Sequence, residues 1–326
     1  MKTKLQNFLA ISSIILSGIL WGSMGLFVRK LNTLGFTSMQ IVELRSVFTS
    51  LILLIVFSIF KPSLLKIDIK DIWIFFGTGI MSILFFNWCY FSTISQMPLS
   101  FAVIMLYTAP VFVLLLSAIL FKEKVTLIKI FALLLAFTGC VLVSISGKTG
   151  YTLNFPVILL GLGSGLGYAL YSIFSRYGLI RKYKVFTIIF WTFFISSIGG
   201  AFFTDWPNLF ANLFPKSLNA AAITDTGAFI GTVSQSTSNT HTDFSVLLFF
   251  LLYTLVSTIA PYILYTAGLT KIENSKASVF AFSEPLTATT IGLIFFNEIP
   301  SVKTVLGIIL MLSSLILLNF EKNKLQ

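Results

Sequence analysis

The sequence predicts an all-α integral membrane protein of ten transmembrane helices, laid out as two inverted five-helix repeats. Three observations predict it. Of the 326 residues 56% are hydrophobic and only 10% charged, with a mean hydropathy of +0.96; water-soluble domains carry about 25% charged residues. The apolar residues fall in blocks of roughly 20, the length that spans a ~30 Å hydrocarbon core. Finally, a shift of 175 residues lays Tyr90 on Tyr265, Ser100 on Ser275, Ala102 on Ala277, Pro110 on Pro285, Phe121 on Phe296 and Glu123 on Glu298 without a gap.

The first block, 8–28, follows Lys2 and Lys4 as in a secretory leader. It is too long for such a leader's apolar region, and no small-x-small cleavage site follows Trp21 to Arg29, so it is a helix. The blocks 37–60, 72–95, 98–121 and 126–146 complete the first half, which spans 8–146. Blocks 155–175, 185–204, 245–268, 274–296 and 301–319 make the second, spanning 155–319. The short alternating strands of a membrane β-barrel are absent, and only helices satisfy every backbone polar group within one segment in lipid.

Near the first and sixth blocks a shift of 147 aligns Gly18 with Gly165, Phe27 with Phe174 and Arg29 with Arg176. The change of shift requires an insertion in the second half, which is the Ser, Thr, Asn and Ala-rich stretch 205–243. Asp205, Pro207 and the apolar spacing of Trp206, Leu209, Phe210, Leu213 and Phe214 predict an amphipathic helix lying on the interface at its start. With five helices per half, the second copy enters the membrane from the opposite side.

Orientation follows from Lys and Arg placement. Of the 22 such residues, sixteen fall on the side of the N-terminus and five on the other, with Arg45 inside a block. Both termini are therefore expected in the cytoplasm and the 205–243 insertion outside, in the cell membrane. This distribution also accounts for the net charge of +11 without any nucleic-acid partner.

The chemistry excludes much else. One histidine, His241, and two in-span cysteines, Cys89 and Cys140, make no metal cluster or His-based triad. No GxxxxGK[ST] motif is present for ATP, so neither an enzyme nor a cofactor is expected. Gly161, Gly163, Gly165 and Gly167, and Gly18 with Gly22, have the spacing of close helix crossings. Glu123 and Glu298 stand just before Thr126 and Ser301, at helix starts where a carboxylate is structural.

The matching residues of the two halves resemble the EamA family of the drug/metabolite transporter superfamily. They are Leu20-Trp21-Gly22, Arg45, Leu106 to Pro110 running to Phe121-Lys122-Glu123, Gly163 to Tyr168, and Ser283-Glu284-Pro285 running to Phe296-Asn297-Glu298. The resemblance covers nearly all of the chain except the insertion. It implies the ten-helix inverted-repeat fold and transport of a small solute; members carry amino acids, amines, nucleosides and other metabolites, and the cargo is not named.

An ionised side chain in a span costs roughly 2.5–3.5 kcal/mol on insertion scales, so each is a functional candidate. They are Glu43, Arg45 and Glu284; Glu43 and Arg45, two apart on one helix, cannot face each other. Pro110, Pro261 and Pro285 each lack a backbone N–H and are read as helix breaks, with Pro285 freeing the carbonyl of Ala281 beside Glu284. Trp21, Asn87, Tyr90, Tyr107, Tyr168, Tyr171, Tyr262 and Tyr265 fall on faces that line the same space. Hydroxyls and aromatic faces beside a carboxylate suit a small amine or zwitterion. The expectation is a secondary carrier of a small polar metabolite working by alternating access, with protons as the coupling ion. The alternative is a receptor or scaffold that keeps the carrier fold and transports nothing.

Overall fold

A computed structural model of the chain describes residues 2–97, 99–144, 155–213, 241–295 and 301–319. Glu298, Asn297 and most of the inserted stretch, with Phe214, fall outside the described residues.

Every predicted apolar block forms helix, as lipid requires of a backbone with no water to bond to. The helices are α1 (Lys2–Gly22), α2 (Met24–Thr33), α3 (Ser38–Phe60), α4 (Ile72–Phe76), α5 (Phe85–Ile94), α6 (Leu99–Leu106), α7 (Ala109–Phe121), α8 (Leu127–Ser144), α9 (Phe155–Ile180), α10 (Val185–Ala201), α11 (Trp206–Leu213), α12 (His241–Thr254), α13 (Ala260–Leu269), α14 (Asn274–Phe280), α15 (Ser283–Phe295) and α16 (Val302–Asn319). Among the described residues eight helical stretches are long and apolar enough to cross a membrane, α10 with α11 forms a further pair bent by 112°, and Val302–Leu318 is a shorter apolar helix. The chain is an integral membrane helical protein.

Boundaries shift from expectation where local chemistry intervenes. The first block extends to Thr33 but is interrupted at Ser23, whose hydroxyl donates to Leu20 O at 2.7 Å. Helix α9 runs on to Ile180 rather than stopping near 175, which draws Arg176 into the span. At the start of α3, Thr37 and Gln40 form a reciprocal cap: Gln40 N donates to Thr37 Oγ1 at 3.3 Å and Thr37 N to Gln40 Oε1 at 2.9 Å.

Two spans carry π-helical stretches, Gly77–Leu84 between α4 and α5 and Leu255–Ile259 between α12 and α13. The second precedes Pro261, so this proline does not open a break; the extra residue of the π turn absorbs its missing donor and the span continues. Pro110 and Pro285 differ. Each sits in the first turn after a real interruption, Tyr107–Thr108 and Ala281–Phe282. The expected free carbonyl at Ala281 is corrected, because Glu284 N donates to it at 2.9 Å.

The amphipathic helix at the insertion forms, with Asn208 N donating to Asp205 Oδ1 at 3.3 Å. Its apolar face meets protein, however, where an interfacial helix was expected: Leu209 and Leu213 are buried against Leu31, Phe36, Phe250 and Tyr253. A neighbouring hydrophobic wall excludes water as lipid would, so the helix is recruited to the bundle.

Helices α8 and α16 cross through Gly139 and Gly307, where a Cβ on either residue would stand 2.6 Å from the other's carbonyl oxygen. Cys89 and Cys140 are buried free thiols that pack.

Candidate functional site

Helix α1 approaches α15 so closely that Gly18 and Gly22 become requirements. A Cβ at Gly18 would collide with Ser283 Oγ, and one at Gly22 would stand 2.5 Å from Glu284 O and 2.7 Å from Thr287 Cβ. Across the molecule Gly165 of α9 presses on the other interruption, at Thr108 and the Met105 carbonyl. Each bare helix surface therefore seats a broken helix, and the first of them carries Glu284. Gly22→Leu is expected to push Glu284 from its place and to reduce transport at least tenfold, read as initial flux in vesicles; unimpaired flux would show that the close approach is incidental.

Glu284, in the first turn of α15, is half-buried. The Tyr168 hydroxyl donates to its Oε2 at 2.7 Å, with the Tyr107 phenol close to the same carboxyl group. Trp21 stands against Tyr262 and Tyr265 with ring centroids at 5.1 and 5.4 Å, and against Tyr168 at 6.4 Å. Tyr171 meets Tyr262 edge-on at 4.9 Å. Two hydroxyl pairs fix the cluster: Tyr171 with Thr266, and Tyr265 with Ser172, each at 2.7 Å.

These rings close around a cavity of about 20 Å³ lined by Trp21, Ser82, Ile83, Phe86, Tyr168, Tyr171, Ser172, Tyr262 and Tyr265, room for about one water. Of the residues singled out in the sequence, five line it, Glu284 accepts from one of them, Tyr168, and Tyr107 stands beside Glu284. Tyr90 meets the lining residue Phe86 in a tilted ring contact at 5.9 Å. Asn87 stands apart: it is buried and its amide donates to Ile83 O at 2.6 Å, within its own helix. The π turn before α5 rotates that helix, so Ser82, Phe86 and Tyr90 share the inward face. Their i, i+4, i+8 spacing was the available signal.

Glu43 and Arg45 are both 3% exposed on α3 and diverge, as their spacing requires. The Glu43 carboxyl packs against the backbone of Gly200 on α10, and its Oε1 has no partner. Arg45 turns to the other side, its guanidinium 3.6 Å from Met24 Sδ and within electrostatic reach of the Tyr253 phenol.

One charged cluster was not foreseen. Arg176 of α9 donates to Asn274 Oδ1 at 2.8 Å, to Leu269 O at 2.6 Å and to Ile272 O, with Glu123 at 4.0 Å. Lys122, at φ 55°, ends α7 in the left-handed region and turns Glu123 back. Glu123 then accepts from Asn274 N at 2.8 Å and from Ser275 N and Oγ at 3.1 and 2.6 Å. It thus caps α14, far along the chain, while Thr126 accepts from Lys129 N on its own account. Lys129 pairs with Glu273 at 2.5 Å. Together these contacts tie α9, α13 and α14 to the α7–α8 corner at one end of the bundle. Sequence reasoning missed Arg176 because the end of its helix was placed five residues too early, at 175 instead of Ile180.

The model of the EamA-like transporter family matches residues 8–145 and again 155–320. An uncharacterised transporter of Archaeoglobus fulgidus is 24% identical over 297 residues, 91% of each chain; a second from that organism is 25% identical over 244 residues, 74% of this chain and 75% of that one. The uncharacterised transporter YwfM of Bacillus subtilis is 37% identical over 70 residues, 22% and 24% of the two chains. A solved crystal structure shares the fold at a TM-score of 0.66 and 14% identity, over 97% of this chain and 96% of that one.

Proposed function

The chain belongs to the EamA-like transporter family, and from that premise we propose that it is a secondary carrier that moves a small solute bearing an ammonium group, by alternating access around Glu284. A multi-pass membrane transporter with a small-molecule substrate follows from the family, and the Archaeoglobus fulgidus relatives are named as transporters rather than enzymes. The observation that carries the finer reading is a carboxyl group held by Tyr168 beside the Trp21, Tyr168 and Tyr262 rings. A carboxylate and aromatic faces together suit an organic cation.

Division into halves 8–146 and 155–319 is supported by the helix interruptions, which recur one repeat apart after Leu106 and Phe280, and by the π-helical stretches ending at Leu84 and Ile259. Duplication of a five-helix unit inverts the second copy, and such a pair can rock about a site between its halves. The Glu123, Arg176 and Asn274 contacts serve as the closure of one end. With room for only about one water, the cavity must widen before a cargo enters.

The deciding experiment is counterflow in proteoliposomes loaded with a labelled amine or amino acid. Saturable exchange supports the carrier; no flux with any of a broad set of amines, amino acids and nucleosides would favour a receptor or scaffold. For orientation in the cell membrane, cysteines placed at Ser217 and Ser236 are expected to react with an impermeant thiol reagent in intact cells. Labelling only after permeabilisation reverses the assignment of both termini to the cytoplasm.

A further inference from the structure

Glu43 is buried on α3 with its Oε1 unpartnered, and no cation stands within 4.0 Å of it among the described residues. A carboxylate so placed gives up hydration that nothing in the fold returns. It lies in a seam between α3, α10 and the π-helical Gly77–Leu84, and the seam changes character along its length. At the deep end Ser46 Oγ stands 3.3 Å from Ser196 Oγ. One turn toward the start of α3, a Cβ at Gly200 would collide with Glu43 Oε2 and touch Leu84 Cδ1 at 3.6 Å. The carboxyl and a Leu84 methyl therefore meet over the same bare stretch of α10.

Beyond Leu84 the seam opens into an apolar groove of about 370 Å³, lined by Met39, Ile80, Leu84, Phe85, Trp88 and Phe203. Met39 and Glu43 are i and i+4 on one face of α3, about 6 Å apart along its axis. Trp88 is 51% and Phe203 71% exposed, so the groove faces lipid. Its volume is that of a small-molecule site, about 300–1,000 Å³, whereas the central cavity has room for about one water. The two share no lining residue. Ser82, Ile83 and Phe86 face the cavity, and Ile80, Leu84, Phe85 and Trp88 face the groove, so one helical wall carries a site on each side.

The chemistry of the seam selects its occupant. A wholly apolar chain would fill the groove and leave the carboxyl oxygen unanswered. A phospholipid headgroup would bring its phosphate toward a carboxylate, like charge against like. An ammonium on an apolar tail satisfies both ends, since it carries three donors and the compensating charge. We propose that this seam is a second binding site, separate from the Glu284 cavity, for a long-chain amine dissolved in the bilayer. The tail lies in the groove, Leu84 swings aside, and the ammonium pairs with Glu43 above the Ser46 and Ser196 hydroxyls. The site goes beyond the carrier reading and stands without it, because occupancy needs no transport.

The test uses dodecylamine and dodecanol, each brominated on the tail, added to the protein in phosphatidylcholine nanodiscs. Bromine quenches indole fluorescence on contact, and the Trp88 signal is the difference between the parent and Trp88→Phe. Amounts in the bilayer are measured on protein-free discs, so that unequal partitioning is removed. Both probes reach Trp88 by collision from lipid, and only the amine is held. Half-quenching by the amine is expected at a concentration at least roughly tenfold lower than by the alcohol, the scale of one charge-assisted hydrogen bond. In Glu43→Gln that advantage should vanish. Equal quenching by the two probes in the parent makes the groove a place for any lipid tail and overturns the proposal. An undiminished amine advantage in Glu43→Gln, or no quenching of Trp88 by either probe, overturns it as well. The comparison within the parent decides the matter even if Glu43→Gln fails to fold, and none of these outcomes bears on transport around Glu284.

Discussion

Glu284→Gln should yield a protein that folds and inserts normally yet loses proton-dependent transport. Glutamine keeps the length and shape of the side chain, and its carbonyl oxygen still accepts from Tyr168, now found at 2.7 Å. The cost in stability should stay near 1 kcal/mol or less, as for an isosteric change that leaves no donor or acceptor stranded. Function differs, because the amide can neither release a proton nor balance an ammonium charge. Losing one charge-assisted contact weakens cargo binding by roughly ten- to a hundredfold. Exchange of a proton for a cationic group also stops, since the site has lost its proton carrier. Among the described residues the ionisable groups within electrostatic reach of Glu284 include the Tyr90, Tyr107, Tyr168 and Tyr262 phenols and the Cys140 thiol. Transport should therefore fall steeply and the remainder lose its pH dependence, measured as initial flux across a pH series. A variant with the parental rate and pH profile would make the carboxyl structural and move the coupling role to Glu43, whose Oε1 is also buried without a partner.

Removing Arg176 should produce the largest loss of stability. Its guanidinium ties Asn274 and the carbonyls of Leu269 and Ile272 to α9 and lies 4.0 Å from Glu123. Arg176→Met leaves those acceptors buried and a carboxylate without its cation, a loss of about 3–5 kcal/mol for breaking a buried pair. In a detergent-solubilised melt that corresponds to a fall of roughly 6–20 °C, at about 2–4 °C per kcal/mol. A melting point within 2 °C or so of the parent's would contradict it. The gentler Glu123→Gln separates closure from folding. It weakens the cap on Asn274 and Ser275, so a cysteine at Ser278, buried in the parent, should react with a thiol reagent roughly tenfold faster. Equal rates in the two backgrounds would dismiss the cluster as a closure.

Much of the site could be read from the chain because lipid imposes simple rules. A carboxylate in the ninth block is expensive wherever it points, so Glu284 stood out with no knowledge of its neighbours. The tyrosines at 168, 171, 262 and 265 recur at helical spacing, and the structure brings all four to one cavity. Asn87 was singled out on repeat equivalence with Tyr262, which assumes equal helical phase in both halves. The π-helical stretches differ in length, Gly77–Leu84 against Leu255–Ile259, so the phase is not shared, and the Asn87 amide bonds to its own backbone. Phe86, Ser82 and Ser172 are residue types common among the apolar blocks, so only the i, i+4, i+8 spacing of Ser82 and Phe86 with Tyr90 could have set the first two apart.

What the sequence determined by itself is what depends on local or lipid-imposed chemistry: helices wherever apolar runs are long enough, an expensive carboxyl at Glu284, and interruptions before Pro110 and Pro285. Only the tertiary structure decided which distant groups meet. Glu123 reads as a cap for the helix that follows it, and in space it caps α14, more than a hundred residues away. Arg176 reads as a cytoplasmic charge, and in space it is a buried tie between α9, α13 and α14. The physical reason is that a helix start or a cation is satisfied by whichever partner packing brings within about 3 Å, and that choice is set by how helices cross. The bare surfaces of Gly18, Gly22 and Gly165 permit those crossings, and nothing in their spacing says which helix will be received.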